Sequence, residues 1–332
     1  MQSKNKMKSW YSQRDILGMN ILQMKYIVEI VRHNNHLSAA ATALNTSQPG
    51  VSKQIKLLEE ELGFEIFERT RNRIIGLTSL GQEVVGIAER IISEMEGLQK
   101  LKEESRSRDR GQLVIATTHT QARYVLPDVI KQFVGRYPSV QLILKQGDPE
   151  QVCEMVENGD ADLAFGPQTI RPFPRLLRLP CVELTRCIVG RADHPIFERS
   201  TMTLEDIARH PLIAYDPRYT GRWRVMAAFD AAGLKPSIVM TGIDADVCKT
   251  YASVGLGLTI LPSVTYDPEH DKGLQARDAS HLFPTSVSTI ALRRTGYVRP
   301  FVLDFIALTA PHLTPSAVRE ALRDGANSVA GD

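Results

Sequence analysis

Apolar positions fall at Ile21, Met24, Ile27, Val28 and Val31, the three-and-four spacing of an amphipathic helix that His33-Asn34-Asn35 breaks. An Ala-rich second helix is predicted over 38–44, with Ser38 as its N-cap. The turn Asn45-Thr46-Ser47-Gln48-Pro49-Gly50 leads into a third helix, whose inward stripe is Val51, Ile55 and Leu58. Ser52, Lys53 and Lys56 lie on its other faces, and Pro49 is tolerated because it falls in the first turn, where its missing N–H is not needed. Residues 64–77 mix β-branched and aromatic residues with three arginines and suit a small β-hairpin. A long helix follows over 79–105, with Val84, Ile87, Ile91, Met95, Leu98 and Leu101 forming a near-heptad seam. The polar run EESRSRDR, closed by Gly111, reads as a linker.

Beyond Gly111 the texture changes. Strands are predicted at 112–117, 140–146, 161–166, 186–190, 212–215, 237–241, 258–262 and 286–293, alternating with helices at 121–136, 149–158, 204–209, 221–233, 244–255 and 299–311. That alternation predicts an α/β fold with a largely parallel sheet, and its length favours two lobes with crossing connections. The expected organisation is a flexible tail at 1–18, a winged helix-turn-helix at 19–78, a dimerising linker helix and hinge at 79–110, a small-molecule-binding domain at 111–313 and a loose tail at 314–332.

Charge and composition narrow the partners only locally. The 332 residues carry a net charge of +2, which excludes a polycation and requires nucleic-acid binding to be argued from placement. No apolar run reaches the length of a membrane span, and no apolar segment of a secretory signal follows Lys4, Lys6, Lys8 and Arg14, so a cytoplasmic protein without membrane partners is expected. The four cysteines, at 153, 181, 187 and 248, lack both metal-ligand spacing and the density of a disulfide scaffold. They are expected to be core residues, and neither cofactor nor metal is expected.

Three short helices with a tight turn before the third, then a hairpin, outline a winged helix-turn-helix, whose second helix of the pair enters the major groove N-terminus first. Here that end carries Gln48, Pro49, Ser52 and Lys53, with Lys56 one turn on. Gln suits an adenine edge, Lys reaches guanine and Ser takes either role. Arg69, Arg71 and Arg73 crowd the wing, where guanidinium groups hold phosphates or probe the minor groove. Residues 19–78 hold seven basic and six acidic side chains, so charge alone decides nothing. What favours double-stranded DNA is segregation, with bases at helix start and wing and Glu59-Glu60-Glu61 at the far end.

The stretch LSAAATALNTSQPGVSKQIKLLEEELGFEIFERT, followed by LTSLGQEV, resembles the DNA-binding domain and linker-helix start of the LysR-type transcriptional regulators. The resemblance implies an N-terminal winged domain that includes Ser38 among its DNA-binding residues. It also implies a dimerising linker helix, a homodimer or homotetramer, contact with RNA polymerase, and a two-lobed effector domain like periplasmic binding proteins.

In the second domain, Thr118, Thr120 and Gln121 lie where a strand ends and a helix begins, where free N–H groups and neutral donors suit a small oxyanion or zwitterion. Thr220, at another helix start, could face them; plain N-caps would use the same residue types. His119 has no acid nearby in sequence, and no catalytic constellation is visible, so an enzyme is not expected. ATTHTQARYVLPDVIKQFVGRYPSVQL, with GDAD at 159–162, LPC at 179–181, YTGR at 219–222 and TGIDADV at 241–247, resembles the CysB/Cbl branch of that family. Members of that branch activate sulfur-assimilation and sulfonate-utilisation genes. The branch implies a sulfur-related effector held by Thr118, Thr120, Gln121 and Thr220. Its fifth pocket position, a Thr in the branch, is Pro167 here, which cannot donate a hydrogen bond.

Overall fold

A computed structural model describes residues 19–329 apart from 72 and 107–108. The expected tail at 1–18 therefore lies outside the described residues, as do 330–332. The chain divides into two compact units, Met1–Lys102 with Thr295–Tyr297, and Glu103–Arg294 with Val298–Asp332.

The first unit opens with α1 (Ile21–Arg32), started by a reciprocal capping box between Asn20 and Gln23. α2 (Leu37–Ala43) and α3 (Gln48–Leu62) follow. Ser47 caps α3 by accepting from the Gly50 amide, Pro49 sits in its first turn, and Gly63 ends it at φ +77°. Ser38 is not the cap of α2. His36 holds that position without a side-chain bond, and Ser38 lies exposed inside the helix, its carbonyl accepting from Thr42 Oγ1 at 3.0 Å. The helix starts one residue before the sequence-predicted Ser because Leu37 packs against the core. Strands β1 (Phe67–Thr70) and β2 (Arg73–Leu77) pair antiparallel as the wing. Ile27, Ile30, Val51, Ile55, Leu58 and Phe67 are fully buried and form the centre of this core. α4 (Ser79–Arg106) runs into the expected linker, and its seam residues Ile87, Ile91, Met95, Leu98 and Leu101 remain exposed in the single chain.

The second unit holds two five-stranded sheets. Along the chain its elements are β3 (Gly111–Thr117), α5 (Leu126–Arg136), β4 (Val140–Gln146), α6 (Pro149–Glu157), β5 (Leu163–Pro167), β6 (Leu176–Leu184) and β7 (Arg186–Arg191). There follow α7 (Leu204–Ala208), β8 (Leu212–Tyr215), α8 (Thr220–Ala231), β9 (Ile238–Gly242), α9 (Ala245–Ser253), β10 (Leu258–Pro262), β11 (Leu274–Asp278), β12 (Ser286–Arg293), α10 (Pro300–Thr309) and α11 (Pro315–Val329). The strand orders are β4-β3-β5-β12-β6 and β11-β7-β10-β8-β9.

The sheets are mixed rather than largely parallel. β3, β4 and β5 run parallel, as do β8, β9 and β10, but β12 and β6 join the first sheet antiparallel and β7 and β11 the second. β6 and β11 were not predicted, because each is largely half-buried, carries charged residues and lacks the apolar run of a doubly covered strand. The chain crosses between sheets at β6–β7 and returns through β12, which makes two lobes joined by crossing strands. The expected loose tail from 314 is replaced by α11, which buries Val318 and packs Leu322 on the first lobe's core beside Phe301 and Phe305.

Candidate functional site

On α3, Gln48, Pro49, Lys53 and Lys56 are exposed and Ser52 is half-buried. At about 100° per residue they share one face, turned away from Val51, Ile55 and Leu58. Lys56 faces Glu60 at 3.6 Å, an exposed pair of little energetic weight. The wing arginines differ from one another. Arg71 is exposed at the tip with φ +56°, and Arg73 is exposed on β2. Arg69 is committed inward, with Nη2 donating to Glu59 Oε2 at 2.8 Å. Glu59 is buried and also accepts from the amides of Ile66 at 2.9 Å and Phe67 at 3.2 Å. The acidic run at the helix end thus contains the strut that holds the wing, which composition did not reveal. Ser38, on the exposed side of α2, joins none of these side chains by a hydrogen bond.

The second unit has a cavity of about 50 Å³ between its two sheets. Room for a few water-sized groups suits a small polyatomic ion or the polar end of a compact organic ligand. On the first lobe, β3 ends at Thr117 and the chain turns through Thr118, His119 and Thr120 into a π-helical turn, Gln121–Val125, before α5 begins. Such turns disrupt helix geometry and recur at functional sites. Thr118, Thr120, Gln121 and Pro167 all line the cavity, so four of the five sequence-predicted positions meet there. Thr220 is the first residue of α8, and its side chain lies outside the described ones. Gly221, which follows it, does line the cavity.

The neutral donors on the first lobe are linked to one another. Thr118 Oγ1 bonds Gln121 Oε1, and Gln121 Nε2 donates to Ser288 Oγ at 2.9 Å. Ser288 lies opposite Pro167 in the β5–β12 ladder, so a neighbouring strand brings a hydroxyl to the position where proline supplies none. From the crossing strands come Arg186 and Ser286, and from β8 comes Tyr215. Burial pushes the Tyr215 phenol well above its ordinary pKa, so it is neutral and keeps a proton available to donate.

Beside the cavity, side chains close one lobe on the other. Tyr124 Oη donates to Asp246 Oδ1 at 2.5 Å, Arg123 Nε reaches Asp246 Oδ2 at 2.9 Å, and His119 Nε2 lies 3.3 Å from that oxygen. Lys249 Nζ bonds Tyr124 Oη at 3.0 Å and Asp271 at 2.8 Å. Burial works to raise the Asp246 pKa, but the Tyr124 hydrogen bond and the Lys249, Arg123 and His119 charges hold it below the usual carboxylate range. Sequence reading saw no acid near His119; Asp246 comes from a helix more than a hundred residues away.

Arg186 and Tyr215 were also missed. A signal for Arg186 existed, since an arginine heading the apolar run Cys187-Ile188-Val189 is a charge placed where a buried strand begins. Tyr215 had none. All four cysteines are unpaired, three of them buried and Cys181 half-buried, and burial pushes Cys153, Cys187 and Cys248 up to about 11 and Cys181 up to about 12.

Residues 21–82 match the bacterial regulatory helix-turn-helix protein, lysR family, and residues 106–314 match the LysR substrate binding domain. The chain is 44% identical over 310 residues to the HTH-type transcriptional regulator CysB of Burkholderia cenocepacia, covering 93% of this chain and 99% of that one. It is 42% identical over 306 residues to the regulator SsuR of the same organism, covering 92% and 99%. The solved cofactor-binding domain of the Cbl transcriptional regulator superposes with a TM-score of 0.62 at 36% identity, covering 64% of this chain and 93% of that domain.

Proposed function

The chain belongs to the LysR family of bacterial helix-turn-helix transcriptional regulators, and on that footing we propose that it controls sulfur-assimilation and cysteine-biosynthesis genes from the cytoplasm. Its first unit binds promoter DNA and its second unit reports a small sulfur-related effector. The observation that carries the effector half is the interlobe cavity, lined by Thr118, Thr120 and Gln121 at the end of β3.

In this reading Gln48, Ser52 and Lys53 reach base edges from α3, while Arg71 and Arg73 hold phosphate. Arg69 positions the wing through Glu59. The exposed seam of α4 pairs two copies, which places two recognition helices on half-sites about a helical turn or more apart. The assembly is a dimer or a tetramer of this chain, and it recruits RNA polymerase when the effector changes the angle between dimers. Such a change requires different effector affinity in the two states.

Pro167 favours a second reading of the same site, a regulator of sulfonate or taurine use that senses adenosine phosphosulfate or sulfate. The loss of a hydroxyl at that position alters the donor set on which oxyanion recognition depends.

Calorimetric titration of the full chain with sulfate, thiosulfate, O-acetylserine, N-acetylserine, adenosine phosphosulfate and taurine separates the two. Binding of an acetylserine or inorganic sulfur anion supports the cysteine-biosynthesis assignment, and preference for adenosine phosphosulfate or taurine supports the sulfonate one. Thr120→Val keeps the shape and removes a donor, so it abolishes the response while sparing DNA binding. An unchanged titration for Thr120→Val, or silence from all six compounds, overturns the effector reading.

A further inference from the structure

Of the buried side-chain nitrogen and oxygen atoms left without a hydrogen-bond partner among the described residues, three line this one cavity: Arg186 Nε, Tyr215 Oη and His119 Nδ1. On the first-lobe side, apart from His119, the neutral groups Thr118, Gln121 and Ser288 bond one another. Native folds rarely leave buried polar atoms orphaned, and a cluster of them around one space points to an absent occupant.

Arg186 decides the sign of that occupant. It is 2% exposed at the start of β7, where the chain crosses between lobes. No carboxylate pairs with it among the described residues; its Nη2 donates to the hydroxyl of Ser286, at the start of the other crossing strand β12. The cavity lining contains no Asp or Glu. Burial depresses the guanidinium pKa, yet arginine stays protonated in proteins, so the site holds an uncompensated positive charge.

The fold makes room for that guanidinium. A Cβ on Gly221, at the N-terminal end of α8, would lie 2.9 Å from Arg186 Nη2 and 3.4 Å from Nη1. A side chain at this position would push the guanidinium aside.

We propose that Arg186 and Tyr215 form a charge-bearing subsite of the interlobe cavity that takes an oxyanion of the ligand, a carboxylate or a sulfo group, as the counter-ion the fold leaves out. This rests on the effector reading above and deepens it: the ligand carries at least one full negative charge, which Arg186 compensates while the neutral donors Thr118, Thr120 and Gln121 line the opposite wall. A neutral ligand, or a zwitterion that cannot direct its anionic group at Arg186, leaves the guanidinium unpaired and binds poorly.

The full chain tests this by thermal unfolding in low-chloride buffer, followed by titration with sodium sulfate, N-acetylserine and the neutral methyl ester of N-acetylserine. Arg186→Met, of similar reach and without charge, is expected to raise the unliganded midpoint by roughly 2–4 °C, because it removes a buried charge with no partner. The same variant loses anion affinity by at least about a hundredfold, whereas Arg186→Lys retains part of it. Gly221→Ala keeps the charge, displaces the guanidinium and weakens anion binding. The ester fails on every protein.

An Arg186→Met midpoint several degrees below wild type would mean that Arg186 is a structural tie to Ser286, and would overturn the subsite. Equal anion affinity in wild type and Arg186→Met, or ester binding as tight as the acid, overturns the subsite but leaves the cavity as the effector site. If wild type responds to none of these probes, the subsite falls, and the effector reading falls with it only if thiosulfate, O-acetylserine, adenosine phosphosulfate and taurine are silent as well. The carboxylate and sulfate arms identify which oxyanion the subsite prefers.

Discussion

Glu59→Ala tests whether the wing is held from the recognition helix. The carboxylate is 8% exposed and satisfies two buried amides, those of Ile66 and Phe67, as well as Arg69. Each amide left buried without an acceptor costs about 1–3 kcal/mol, and the half-exposed Arg69 adds little because water replaces its partner. The sum, about 2–6 kcal/mol, is a large part of the stability of a small domain. Glu59→Gln keeps one carbonyl oxygen for the amides and loses the charge assistance, so it costs less. Amide hydrogen exchange at Ile66 and Phe67 reads the difference directly, with an acceleration of about thirty- to twenty-thousandfold expected for the Ala variant. DNA binding then separates the wing arginines. Arg71→Gly suits the positive φ at the tip and removes the phosphate contact proposed for it, so the slope of log affinity against log salt is expected to fall by about 0.9. Arg69→Ala speeds exchange at the wing and leaves the salt slope near its starting value. Exchange in Glu59→Ala within threefold of wild type, or equal salt slopes for the two arginine variants, would refute the strut.

Gln48→Ala, at the exposed first turn of α3, is expected to lose about 1–3 kcal/mol of discrimination at particular bases, and equal losses on operator and random DNA would remove it as a base reader. Gly81→Ala places a Cβ 2.0 Å from the Ile66 carbonyl oxygen, so α4 must shift away from the wing; a melting midpoint unchanged from wild type would show that contact to be soft. All four thiols are protonated at neutral pH, so a disulfide-exchange reagent at pH 7 should label none of them until the chain is denatured. Because their folded pKa values lie above the unfolded thiol value near 8.5, their contribution is complete below that pH and is lost as pH rises toward about 11, which alkaline unfolding checks. Asp246 has the opposite sign: its depressed pKa gives stability present above the ordinary carboxylate value and lost as pH falls through the folded one. Asp246→Asn should flatten that acid limb.

What was legible in the chain was what rests on local periodicity. The stripe Val51, Ile55, Leu58 faced inward as predicted, because a helix face is written in residues three and four apart. β6 and β11 escaped because each is half-exposed and takes its place from ladders with β12 and β7 that no local pattern encodes. α11 was read as loose because its sequence ends in small and polar residues, whereas Val318 finds its partners on α10 and the first lobe's core. The cavity was half legible. Thr118, Thr120 and Gln121 stand together in sequence at a strand-to-helix junction, a place where α/β folds bind ligands. The charge that faces them arrives through a crossing strand, and only the fold brings Arg186 to Gly221 and Ser286.

If the effector seats on Arg186 as proposed, the same geometry supplies the differential affinity that a switch requires. Thr118 and Gln121 belong to the first lobe and Tyr215, Gly221 and Arg186 to the second, with Arg186 at the start of β7 where the chain has just crossed over. An anion seated on Arg186 and reaching Thr120 is bonded from both lobes only while they are closed. In an open state it keeps the hinge contact and loses one side. Every 1.4 kcal/mol of bonding lost on opening multiplies the closed-state preference tenfold, so one charge-assisted hydrogen bond is enough to redistribute a balanced equilibrium. Asp246 ties the second lobe to the first through Tyr124, Arg123 and His119, and His119 borders the cavity as well. Weakening that latch with Tyr124→Phe therefore makes ligand and latch share the same work: the variant binds more weakly, and the ligand changes its lobe angle more.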